Sequence, residues 1–174
     1  MLRTTGILIA TVALAGCQTA GESGSTEVAQ AILVNAAGAN VGTARLHQMG
    51  DQLTVNVALQ GMPAGTRATH LHMVGDCSSE GFTSAGGHLN PEGHQHGSLN
   101  PQGQHLGDLP NATISADGTG TVSATLPGMS ATLLTQMFDA DGTAVVVHES
   151  PDDYRTDPTG AAGGRIACGA FRRS

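Results

Sequence analysis

Between residues 53 and 59 the chain alternates without a fault: Leu53, Val55, Val57 and Leu59 share one face of an extended strand, and Thr54, Asn56 and Ala58 share the other. A period of two does not fit a helix, so this stretch commits its neighbourhood to a sheet with one buried face. Asp117-Gly118, set between Ile114 and the alternating Val122, Ala124 and Leu126, has the chemistry of a hairpin turn. Similar short runs predict strands over 28–34, 41–47, 53–60, 68–74, 112–116, 119–126, 143–148 and 166–171. Eight strands without a convincing long helix give an all-β fold, an antiparallel sandwich or barrel. Residues 130–138 fit a turn of helix or a loop across one end of a barrel equally well.

Composition agrees with one such domain. The chain has 174 residues, 39% hydrophobic but only 2% aromatic, so the core must be built from small aliphatic side chains. Seven Arg, no Lys and fourteen acids give a net charge of -7, which makes nucleic acid a poor partner.

The first residues of the chain and its cysteines speak to location. Residues 1–16 read as a signal peptide, with Arg3 as the positive n-region and an apolar run from Ile7 to Ala15 too short to span a bilayer. The run closes on Leu14-Ala15-Gly16-Cys17, which resembles a lipobox, so Cys17 is expected to be the lipidated N-terminus and the membrane attachment. Residues 17–27 are a small polar tether, and the domain is expected over 28–174. Gln18, rather than Asp, after the lipid-bearing Cys favours outer-membrane attachment facing the periplasm. Three Cys is an odd number for an exported protein; with Cys17 given to lipid, Cys77 and Cys168 can pair and close a loop of roughly ninety residues.

Two long irregular stretches, 75–111 and 149–164, are rich in residues that sustain neither helix nor strand, and loops of that length are usually functional or disordered. Of eight His, five lie between His70 and His96 and a sixth is His105, a density that suggests metal. On a strand, His70 and His72 project from the same face and can reach one ion. Asp108, three residues after His105, lets an imidazole and a carboxylate close on another. A set of three His and an Asp suits zinc, while imidazoles alone, such as His70, His72 and His148, suit copper or zinc equally well. Spacing does not choose between them.

The chain resembles the copper/zinc superoxide dismutase family, in its exported bacterial lipoprotein branch. The segments that carry the likeness are His70-Leu71-His72 followed by Gly75-Asp76-Cys77; Gly86-Gly87-His88-Leu89-Asn90-Pro91; His96-Gly97; His105-Leu106-Gly107-Asp108-Leu109-Pro110-Asn111; Val146-Val147-His148; Asp152-Asp153-Tyr154; and Pro158-Thr159-Gly160 through Gly164-Arg165-Ile166-Ala167-Cys168-Gly169. The family is a standing example of the Greek-key, immunoglobulin-like sandwich and of electrostatic steering. The resemblance implies copper on His70, His72, His88 and His148, and zinc on His88, His96, His105 and Asp108, with His88 bridging. It implies that Asp152 links a copper His to a zinc His, that Arg165 attracts and orients superoxide at the copper mouth, and that Cys77 pairs with Cys168. The activity implied is dismutation of superoxide to oxygen and hydrogen peroxide by alternating copper(II) and copper(I), with His88 taking a proton on reduction and returning it.

The chain departs from the family pattern in places. Arg67-Ala68-Thr69 stands where many members have His-Gly-Phe, removing no ligand but placing a positive charge near the site. The second loop offers Arg155 as its only basic side chain before Pro158, so steering falls largely on Arg165. His47 and His94 match no ligand position, although His94 is close enough to the zinc loop to be a spare contact. The rival functions are a copper- or zinc-buffering lipoprotein on the same fold, and a zinc hydrolase using His88 or Glu92, which lacks an H-E-x-x-H. Monomer and homodimer both fit the sequence.

Overall fold

The computed structural model describes residues 24–174; the expected leader, the lipid-bearing Cys17 and most of the tether lie outside the described residues. Strand β1 (Thr26–Asn35) is followed by β2 (Asn40–Met49), β3 (Gln52–Leu59), β4 (Gly65–Arg67) and β5 (Thr69–His72). After the first long loop come β6 (Ala112–Ile114), β7 (Gly120–Thr125), the helix α1 (Ser130–Met137), β8 (Ala144–His148), β9 (Arg165–Ala170) and the two-residue β10 (Arg172–Arg173). One curled sheet runs in the order β5-β8-β9-β1-β2-β3-β7, with β10 also on β1, and β4 and β6 form a separate ribbon. Each pairing between these strands is antiparallel, as expected for the all-β fold.

The alternation of β3 does what its period requires. Leu53, Val55, Val57 and Leu59 are buried, and β3 pairs residue for residue with β2 on one side and β7 on the other. Ala29, Ala31 and Leu33 of β1 and Ala44 and Leu46 of β2 complete the same inner face. Burying each Leu or Val contributes about 1.5–3 kcal/mol.

Several expected boundaries move. The strand expected over 68–74 starts one residue late, as β5 at Thr69, and is separated from β4 by Ala68, whose N–H donates to Ser150 O and whose carbonyl accepts from His148 N. It also ends early, because Met73 N and Val74 N donate to Gly87 O and Ala85 O in the loop instead of to a strand. Residues 130–137 resolve the earlier ambiguity as a helix, anchored by Ser130 N to Asp51 O and burying Leu133 and Met137. Strand β1 begins at Thr26, two residues before the expected 28, because Thr26 and Glu27 pair with Gln48 and His47 of β2.

The fold places the site through the two faces of β5 and β8. Leu71, Val145 and Val147 point into the main core. Ala144 and Val146 face the other way, into a small cluster with Phe82, Ala85 and Cys168. His70 and His72 stand on that outer face, in register with Val146 and Ala144, and His148 ends β8 on the same side. The long loops close over this face, so the histidines are buried outside the barrel, between its wall and the loops.

Candidate metal centre

Two sets of side chains converge, and they share one residue. His70, His72, His88 and His148 bring one ligand atom each within 4.8 Å of one another, and so do His88, His96, His105 and Asp108. The strand pair β5–β8 supplies three members of the first set, while the second comes entirely from the loop that follows the half-turn over Glu80–Ala85. His94, the expected spare contact, belongs to neither: it is exposed, with its Nδ1 on Gln104 O at 3.0 Å.

In the first set each ring is held by the nitrogen it does not direct inward. His72 Nδ1 donates to Gly86 O at 2.9 Å, His148 Nδ1 to Gly163 O at 3.4 Å, and His70 Nε2 to Asp152 Oδ2 at 2.9 Å. That leaves His72 Nε2 and His148 Nε2 facing each other at 3.4 Å, and His70 Nδ1 and His88 Nε2 buried with no partner. Buried polar atoms without partners are rare, and nitrogen lone pairs aimed at one point are what a metal needs. Burial pushes these imidazoles down, to about 4 for His70, about 2 for His72 and about 3 for His148, which keeps the rings neutral and their lone pairs free.

In the second set the ligand atoms crowd around Asp108 Oδ1. Asp108 Oδ1 lies 3.0 Å from His88 Nδ1, 3.0 Å from His96 Nδ1 and 3.2 Å from His105 Nδ1, and the His88 and His105 Nδ1 atoms are 3.3 Å apart. Ligands about 2.0–2.2 Å from a tetrahedral zinc would stand roughly 3.3–3.6 Å apart, so the cage fits after opening by a few tenths of an ångström. Asp108 is aimed by its other oxygen, Oδ2, which accepts Gly97 N at 2.9 Å and His105 N at 3.0 Å. Although burial alone would raise it, hydrogen bonds from His88, His96 and Gly97 hold its carboxyl well below the usual carboxylate range. His96 shows the opposite balance: burial lowers it, but the Asp108 and Asp152 carboxylates outweigh burial and push it up to about 9.

Asp152 bonds one histidine of each set. Its Oδ2 holds His70, and its Oδ1 accepts His96 Nε2 at 2.9 Å and Tyr154 N at 2.7 Å. The carboxylate fits only because residue 160 is glycine: a Cβ there would lie 1.9 Å from Asp152 Oδ1 and 2.6 Å from His96 Nε2. Two residues without an expected role support it. Asn111 holds the Asp152 backbone from both sides, donating Nδ2 to its carbonyl at 3.0 Å and accepting its N–H at 2.8 Å. Asn111 N in turn donates to the Tyr154 hydroxyl at 2.9 Å. Both residues sit inside matching segments of the sequence, but no local pattern gave them a task.

Arg165, at the start of β9, is half-buried and donates to Phe82 O at 2.7 Å and Gly86 O at 2.6 Å. It is near enough to the first set that its charge helps lower His72 and His148. Arg67 is spent elsewhere: its guanidinium donates to the carbonyls of Pro63, Ala64 and Glu149 and braces the β4 turn against the second loop. Cys77 and Cys168 form a disulfide, with their Cα atoms 5.8 Å apart, that pins the first loop to β9.

A histidine-rich double cage on the outside of an antiparallel Greek-key barrel defines a two-metal protein class, and comparison with known proteins agrees. The family model for copper/zinc superoxide dismutase matches residues 40–171. The Cu-Zn superoxide dismutase 2 of Aquifex aeolicus (strain VF5) is 41% identical over 149 residues, covering 83% of this chain and 86% of that protein. The Cu-Zn superoxide dismutase of Caulobacter vibrioides is 36% identical over 148 residues, covering 83% and 85%. A crystal structure of a SOD-like protein from Bacillus subtilis superposes with a TM-score of 0.76 at 35% identity, covering 83% of this chain and 99% of that one. The chain belongs to the copper/zinc superoxide dismutase family.

Proposed function

We propose that this protein dismutes superoxide to oxygen and hydrogen peroxide, with copper held by His70, His72, His88 and His148 and zinc by His88, His96, His105 and Asp108. The observation that carries this reading is His88, whose Nδ1 lies among the second set while its buried Nε2 has no partner and faces the first. Copper bound there supplies one-electron transfer in both directions, and zinc supplies a fixed charge. His88 Nε2 is the atom of the chain placed to hold a proton between the two half-reactions. Arg165, fixed by two carbonyls, presents a cation to a small anion approaching the first set. With one such Arg on a chain of net charge -7, the rate should depend on salt less steeply than in strongly steered enzymes.

The reading extends to location. The Leu14-Ala15-Gly16-Cys17 signature supports lipidation at Cys17, and the Cys77–Cys168 bond suits an oxidising compartment, so we place the domain in the periplasm, tethered to the outer membrane, where it protects the envelope from superoxide.

The test is superoxide consumption by the lipid-free domain loaded with copper and zinc, beside a metal count and a His148→Ala control. Activity that requires copper and disappears in the control is the expected result. Two bound metals without turnover would replace the enzyme with a metal-buffering protein. Labelling with a radioactive fatty acid, lost on Cys17→Ser, checks the anchor.

A further inference from the structure

We propose that Tyr154 is a positioning residue for the zinc set, and that its hydroxyl controls how tightly zinc is retained. This rests on the reading of the second set as a zinc site.

Tyr154 lies in the second loop and is no ligand, yet three of its polar groups reach the frame around the second set. Its N–H donates to Asp152 Oδ1 at 2.7 Å, the same oxygen that holds His96 Nε2. Its carbonyl accepts Leu99 N at 3.1 Å, within the first loop. Its hydroxyl accepts Asn111 N at 2.9 Å, and Asn111 closes the circuit with its paired bonds to the Asp152 backbone. To make all of these contacts the residue takes φ 60, a left-handed conformation uncommon for a non-glycine residue and worth keeping only where the surroundings demand it.

The first loop is shaped to receive it. A Cβ on residue 97 would stand 2.1 Å from the Tyr154 carbonyl, so only glycine allows this approach, and Gly97 N is one of the two donors aiming Asp108. Tyr154 therefore touches both carboxylates that govern the second set, Asp152 through its N–H and Asp108 through Gly97. The copper set depends on this frame less: His88 is loop-borne and His70 bonds Asp152, but His70, His72 and His148 are carried by β5 and β8, which pair with each other. A loop-built cage needs an outside frame, and Tyr154 is the residue where the two loops meet.

Tyr154→Phe removes the hydroxyl alone and leaves Asn111 N without its acceptor. Partners directly behind a ligand are worth roughly ten- to hundredfold in metal affinity, and the Tyr154 hydroxyl acts two bonds further out, through Asn111 and Asp152, so the zinc dissociation constant should rise by roughly three- to tenfold at most. The full chain, metal-stripped and reloaded, would be titrated with zinc and separately with copper against a chromophoric chelator. Cobalt(II) in the zinc site gives an optical spectrum sensitive to ligand geometry. The expected result is weaker zinc, a shifted cobalt spectrum, copper affinity within twofold and a nearly unchanged melting point of the metal-free protein. Zinc affinity within twofold of the parent, or zinc and copper weakened together, would overturn the proposal and leave Tyr154 a general stabiliser. Should Tyr154→Phe not fold, Asn111→Ala cuts the same circuit and is held to the same outcomes. A parent that takes up no zinc would instead sink the reading of the site, and this inference with it.

Discussion

Removing the Asp152 carboxylate should cost the zinc set more than the copper set, although Asp152 bonds one histidine of each. In Asp152→Ala three donors lose their acceptor at once, His70 Nε2, His96 Nε2 and Tyr154 N, all bonded at 2.7–2.9 Å. The two histidines are not equally dependent on it. His70 is built into β5, with its backbone registered against Val146, so its ring keeps nearly the same direction without the carboxylate. His96 is carried by a loop, and apart from Asp152 its position rests on its N–H bond to Asp157 Oδ1 and on Asp108. A lost partner behind a ligand weakens metal binding roughly ten- to hundredfold, about 1.4–2.8 kcal/mol. We assign that full range to zinc, and less than about tenfold to copper because strand pairing preserves His70. Competition against chelators of known affinity, run separately for each metal at pH 7, measures both constants. Copper weakened as much as zinc, or neither changed by more than twofold, would refute the argument that strand-borne ligands orient themselves and loop-borne ligands do not.

Two other outcomes follow from the same geometry. Replacing Cys77 and Cys168 by Ser together opens a loop of 91 residues and should destabilise the metal-free protein by about 4–5 kcal/mol in urea unfolding, whereas a loss under about 1 kcal/mol would show the loops held by other contacts. In metal-stripped protein the melting temperature should fall as pH drops from about 6.5 to 4. His70, His72 and His148 are held at about 4, 2 and 3, so across this window the unfolded chain takes up protons that the folded chain refuses. His96, raised to about 9, works with the opposite sign: its contribution is complete below 6.5 and is lost as pH rises through 9, so it does not offset the fall. A melting temperature flat or rising between pH 6.5 and 4 contradicts the buried-neutral account.

What could be read from the sequence is what local chemistry determines. The alternation of β3 and the turn at Asp117-Gly118 depend on neighbours along the chain, and both appear as expected, with Gly118 in a left-handed conformation at φ 82. The break at Ala68 was not legible, because it is caused by bonds to His148 and Ser150 some eighty residues away. The helix at Ser130–Met137 was ambiguous for a physical reason: it is short, and Met129 at its start offers no side-chain cap. Clustered imidazoles announced a metal site, but only the family likeness sorted His96 from His94 two residues earlier. Their difference is tertiary: one ring is clasped between Asp108 and Asp152, the other turned out to Gln104. Arg67 was expected to add charge near the site; the carbonyls that absorb its donors come from the turn before it and from Glu149, a partner that only folding supplies. Asn111 and Tyr154 escaped notice likewise, since their bonds span 41 and 43 residues.

The carbonyl of Gly86 receives both His72 Nδ1 and a guanidinium nitrogen of Arg165. One oxygen therefore sets the twist of a ring in the first set and shares with Phe82 O the placing of the charge that would meet the incoming anion. The two properties are mechanically coupled: a shift of the loop at Gly86 moves both. Selection for faster capture of an anion would thus be felt at the metal, and selection on the metal's electronic character would be felt at the entrance.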